Sequence, residues 1–94
     1  MKTYRGDRTI DGIVVTVDGA ALPERTDIKA ISRDGFEWSY EGQAPAQLAL
    51  AILADHYGDP ARALADHERF MRIVVANLGN EWEMTGTDID RVLG

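Results

Sequence analysis

The stretch that most constrains this chain is Pro45-Ala46-Gln47-Leu48-Ala49-Leu50-Ala51-Ile52-Leu53-Ala54. At helical spacing it is apolar almost all the way round, and a helix without a polar face has to be buried. Pro45 suits the first helical turn, where its missing N–H costs nothing. The helix is expected to run to about Tyr57, with Gly58 just past its end. The rest of the chain must wrap this rod. Just before it, Phe36-Glu37-Trp38-Ser39-Tyr40 alternates strictly, aromatics on one side and Glu37 and Ser39 on the other. That pattern predicts a strand with one face on the core, joined to the helix through a turn at Gly42.

The remaining segments divide into a β half and an α half. Lys2 to Arg8 is expected as a strand, and Ile13 to Val17 as the most secure one, being β-branched. The pairs Asp11-Gly12 and Asp18-Gly19 flank it as turn signals. Ala20 to Leu22 continues the meander until Pro23. Ile28 to Ser32 is short and mixed and stays open. Asp59 then caps a helix with Pro60 at its first position, expected to run to Leu78 and end at Gly79. Its inward stripe is Leu64, His67, Met71, Val74, Val75 and Leu78. Trp82 and Met84 alternate with Glu81 and Glu83, as in a short strand, and Thr85 or Thr87 can cap a last turn from Asp88 to Leu93. The order predicts an α+β fold. An N-terminal antiparallel β-meander of three or four strands packs on two main helices, with a short C-terminal helix. One domain spans 1–94, mostly β to about 43 and mostly α after it.

A chain of 94 residues buries roughly 60–65% of its unfolded surface, enough for one core. It has no cysteine, which excludes disulfides, thiolate chemistry and cysteine zinc sites. The N-terminal residues Met1 to Asp7 lack the apolar core of a signal peptide, and Ala44 to Ala54 is too short to span a bilayer. A cytoplasmic location without membrane contact is expected.

Net charge is −6, from 16 acids and 10 bases. This disfavours direct nucleic-acid binding, which needs a basic face, and favours a basic surface on a protein partner. No lysine or arginine lies between Arg33 and Arg62, whereas Asp34, Glu37, Glu41, Asp55 and Asp59 do. A second acidic stretch, Glu81, Glu83, Asp88 and Asp90, is opposed only by Arg91. If the two segments meet, one face of the molecule is acidic.

Chemical motifs are scarce. His56 and His67 are the only histidines, at no metal-binding spacing, and are expected as packing residues at a helix–helix contact. Ser32 and Ser39 sit in no nucleophile elbow. Gly42-Gln43-Ala44-Pro45 lacks the glycines and lysine of a phosphate loop. Phe36, Trp38, Tyr40 and Trp82 stand among glutamates, which fits a core better than a platform for bases. Gln47, the polar exception in the apolar helix, is expected to latch backbone groups of the loop at Gly42 to Ala44. No catalytic, cofactor-binding or metal-binding residue is assigned, no cofactor is implied, and the chain is not expected to be an enzyme.

The run Gly35-Phe36-Glu37-Trp38-x-Tyr40, then Gly42-x-x-Pro45-Ala46-Gln47-Leu48-Ala49-Leu50-Ala51-Ile52-Leu53, resembles a family of small bacterial and phage proteins catalogued only as a domain of unknown function. Val74-Val75-x-x-Leu78, Trp82 with a following threonine, Asp88-Ile89, Tyr4-x-Gly6-x-Arg8 and Gly12-x-Val14 are similar too. The resemblance covers nearly the whole chain and implies a compact stand-alone domain, often in mobile-element neighbourhoods. It carries no activity and no site residues, but favours an interaction or accessory role.

These observations together predict a non-enzymatic protein-interaction protein. Its candidate surface is Asp34, Glu37, Ser39, Glu41, Glu81 and Glu83. One version is an anti-defence inhibitor that occupies a basic nucleic-acid channel. The alternative is a small-molecule module or minor enzyme with a pocket between sheet and first helix, near Gln47, His56 and Trp82. Homodimerisation through the sheet edge or the helical pair is a further expectation.

Overall fold

A computed structural model describes residues 1–94. Four strands and three helices form in the order β1 (Thr3–Thr9), β2 (Gly12–Val17), β3 (Ala20–Ala21), α1 (Gln43–Tyr57), α2 (Pro60–Ile73), β4 (Glu81–Thr85) and α3 (Gly86–Leu93). The antiparallel sheet has the order β3-β2-β1-β4. The expected α+β class is therefore correct, with one change of cast. The strand beside β1 comes from the end of the chain, and the aromatic segment supplies none.

The first two turns follow the signals in the sequence. Asp18 and Gly19 both take positive φ, 49° and 84°, the geometry of a tight hairpin between β2 and β3. Along β1, Tyr4 and Gly6 point inward opposite Val17 and Val15 of β2 and opposite Met84 and Trp82 of β4. Gly6 is needed there because the Trp82 indole lies directly over it.

α1 is the buried rod that its composition demands. Every residue from Pro45 to Ala54 is buried. Gly58 ends it with φ 65°, and its N–H bonds the Ala54 carbonyl. Asp59 caps α2 through the N–H groups of Ala61 and Arg62. α2 stops at Ile73, short of the expected Leu78. The run Ile73-Val74-Val75 is β-branched and poorly helical, and a 3-10 turn at Val75–Asn77 follows it. The Asn77 side chain donates to the Ile73 carbonyl at 3.0 Å, closing the helix end. Thr85 and Asp88 form a capping box that starts α3.

Phe36 to Tyr40 is not a strand. Ser39 takes φ 78°, which interrupts the extended chain. The segment's hydrogen bonds go to the turn after α2 instead: Ser39 N–H to the Val75 carbonyl at 3.0 Å, and Trp38 Nε1 to the Gly79 carbonyl at 2.6 Å. Trp38 is fully buried, Phe36 half-buried and Tyr40 49% exposed, so the aromatics do not share one face.

From Leu22 to Gly42 the chain is a strap without helix or strand, apart from turns. Leu22, Ile28, Ile31, Phe36 and Trp38 pack it onto the core. Two side chains fasten it. Gln47, fully buried in α1, accepts from the N–H groups of Ile31 (2.7 Å) and Ser32 (3.1 Å) and donates to the carbonyls of Glu24 (2.7 Å) and Lys29 (3.2 Å). It is a latch, as expected, but on residues 24–32 and not on Gly42 to Ala44. Four satisfied bonds match the full capacity of one amide.

Candidate functional site

The second fastening is Arg8. Its guanidinium donates to Glu37 Oε1 from Nε (3.2 Å) and Nη2 (2.6 Å), to the Trp38 carbonyl (2.7 Å) and to Asn80 Oδ1 (2.8 Å). It also lies 4.6 Å from the centroid of the Trp38 ring. A planar fork with several donors suits such convergence. Glu37 and Ser39 are thereby spent on structure, since the Ser39 hydroxyl donates to the Leu78 carbonyl.

The outer face of the β1–β4 ladder is different. Strand alternation sends Arg5 and Asp7 of β1, and Glu81 and Glu83 of β4, away from the helices. Because Gly6 and Trp82 point inward, their backbone forms the floor of a shallow groove between these four side chains. Arg5 Nε pairs with Glu83 Oε1 at 2.6 Å. Asp7 sits opposite Glu81, and on its other side opposite Val14. Neither Asp7 nor Glu81 makes an ion pair or a side-chain hydrogen bond. Two like charges therefore face each other across the ladder, which costs stability.

The six residues expected to form one acidic surface do not come together. Glu81 and Glu83 stand on this outer face. Glu37 and Ser39 belong to the Arg8 cluster, which lies beside the same end of the ladder but on the other face of the sheet, against Trp38. Asp34 lines clefts of the strap, one with Ile31, Ser32 and Tyr40 and one with Ile13 and Phe36. Glu41 is exposed beside the start of α1. Asp7, which is not one of these six, joins Glu81. Its signal was the alternation of Lys2 to Arg8, but the pairing with β4 is non-local and invisible in a short window.

The other polar clusters hold elements together. The Tyr4 hydroxyl, at a fully buried residue, donates to Asp55 Oδ2 at 2.6 Å, and Lys2 Nζ reaches the same oxygen at 3.1 Å. Burial first, then the bond to Asp55, push the Tyr4 phenol far above its usual range. His56 Nε2 lies 2.7 Å from Asp90 of α3. His67 Nδ1 lies 2.7 Å from the Leu64 carbonyl within α2. The two histidines thus have separate partners. No three His, Asp or Glu side chains lie close enough to hold a metal ion.

No cleft includes Gln47 or His56, so nothing opens between the sheet and α1 where a small-molecule pocket was expected. No helix is long and apolar enough to cross a membrane. Among known protein families, residues 4–94 match one described only as a family of unknown function. No curated protein and no solved structure matches the chain.

Proposed function

Given that this chain belongs to DUF6166, a family of unknown function, we propose that it is a non-enzymatic interaction protein. The acidic outer face of its β1–β4 ladder would receive a basic surface of a partner protein. The observation that carries this is the Asp7–Glu81 pair, two carboxylates held opposite each other with no cation between them. A cation brought by a partner would offset their repulsion. Departures from local design rules of this kind are expected at functional sites. The net charge of −6 adds a long-range attraction for basic partners. An accessory role in the cytoplasm is consistent with this surface.

An anti-defence mimic of nucleic acid would need a broad unbroken negative surface. Arg8 on Glu37 and Arg5 on Glu83 interrupt it, so the proposal is confined to the unpaired carboxylates of the ladder face, Asp7 and Glu81, and to the glutamate beside them.

The test is the double variant Asp7→Asn with Glu81→Gln. Relief of like-charge repulsion is expected to stabilise the fold by about 0.5 kcal/mol in urea denaturation. The same variant is expected to weaken binding of a basic partner, identified by affinity purification and mass spectrometry, by about tenfold. A variant that binds that partner with unchanged affinity overturns the proposal.

A further inference from the structure

We propose that the free edge of β4, together with the apolar recess beside it, accepts an extended partner segment in which basic and apolar residues alternate. This builds on the acidic ladder face as an interaction surface and specifies what the partner presents.

β4 closes the sheet on one side and is bonded to β1 alone. The bonds Gly86 N–H to Lys2 carbonyl and Arg8 N–H to Asn80 carbonyl bracket the ladder. Hydrogen-bonded pairs alternate in an antiparallel ladder, so between these two they fall at Tyr4–Met84 and Gly6–Trp82. The main-chain N–H and C=O groups of Glu81 and Glu83 therefore point away from β1. Thr85 differs, since its N–H is taken by the Asp88 carboxylate. The edge offers two consecutive docking positions for another strand.

Next to this edge, Phe70, Val74, Leu78, Met84, Ile89 and Val92 line an apolar recess of about 180 Å³. Glu83 and Met84 both border it, so it opens at the edge itself. A cavity of about 150 Å³ can hold a benzene ring, so the recess has room for one aliphatic or aromatic side chain. Val92, 41% exposed, lies on its lining.

The two features dictate the pattern of an occupant. In a strand added to β4, every second side chain lies on the outer face beside Glu81 and Glu83, and the others lie on the helix side at the recess. Charge complementarity makes the first set lysine or arginine, and the recess makes the second set apolar. A second copy of this chain fits poorly. Two-fold antiparallel pairing of β4 with itself puts Glu83 opposite Glu83, or Glu81 opposite Glu83, and like charges opposed across a ladder repel. Glutamates on an edge can also serve only to keep strands apart. That role predicts no strand-specific affinity, which separates the two.

The experiment titrates the full chain with a short acetylated peptide alternating lysine and valine, followed by amide NMR. Shifts are expected at Glu81 and Glu83 and at the recess residues Leu78, Ile89 and Val92. The same peptide N-methylated along its backbone is expected to bind at least about tenfold more weakly, because it cannot donate to the edge. Glu83→Gln is expected to lower affinity a few-fold. Glu83→Pro removes an N–H that β1 does not use, and is expected to abolish binding while circular dichroism stays native. Equal binding by the N-methylated peptide overturns strand addition and leaves the acidic-face proposal standing. Shifts on the Asp7–Glu81 face without any at the recess do the same. No binding by the lysine peptide, or equal binding by a glutamate–valine peptide, overturns the inference outright.

Discussion

The Trp82 indole covers Gly6 so closely that a Cβ built on Gly6 would stand 2.2 Å from Trp82 Cε2. The two residues face each other across β1 and β4, and the indole meets Trp38 edge-on at 5.7 Å. A methyl group at position 6 therefore has to displace a ring that is itself packed. Gly6→Ala is expected to destabilise the protein by about 1–3 kcal/mol, the usual cost of overpacking. Urea denaturation followed by tryptophan fluorescence checks it. A loss below about 0.5 kcal/mol would show that the indole can move aside freely.

Gln47 holds the strap with four hydrogen bonds from the middle of an apolar helix. Gln47→Leu keeps the volume but strands two N–H groups and two carbonyls of the strap. Leaving buried groups unpaired costs about 1–3 kcal/mol each before relaxation, so a loss of about 3 kcal/mol is expected. The local signature is more specific than the size. Hydrogen exchange should quicken at Ile31 and Ser32 well before it does in α1.

Asp88 gives α3 an acid limit. The Thr85 backbone N–H, and then the Thr85 hydroxyl, hold its carboxyl below the usual 3.8. The unfolded chain then takes up the proton first. The contribution of the cap is present above pH 3.8 and is lost as pH falls through the lower folded value. The helical shifts of Ile89 to Val92 are expected to fade in that range. In Asp88→Asn the fading should flatten, as followed by NMR across an acid titration.

The parts of the fold legible in the sequence were those decided locally. The β-branched run became β2, the apolar run became a buried α1, and Gly58, Asp59 and Thr85 sit at the helix boundaries where their chemistry placed them. The aromatic segment misled because alternation reports which side chains are buried and says nothing about what bonds the backbone. Trp38 is buried, but its neighbours' hydrogen bonds run to Val75 and Leu78. Gln47 was legible as a latch, since an amide in an apolar helix needs partners, while the identity of those partners required the path of the strap. The candidate site was half legible. Glu81 and Glu83 stood out as acidic alternation, but Asp7 acquires its meaning only from a register set by residues at the opposite end of the chain.

That register also has a consequence in time. β1 leaves the ribosome long before one of its two partners, β4. Until β4 is made, the β1–β2 hairpin stands with an open flank where Tyr4 and Gly6 will later be covered. The contact that completes the sheet is thus one of the most distant the chain makes, the type that slows folding and leaves nascent strands open to mispairing. A chain stalled before Glu81 would present the inner strand of this sheet as a sticky edge.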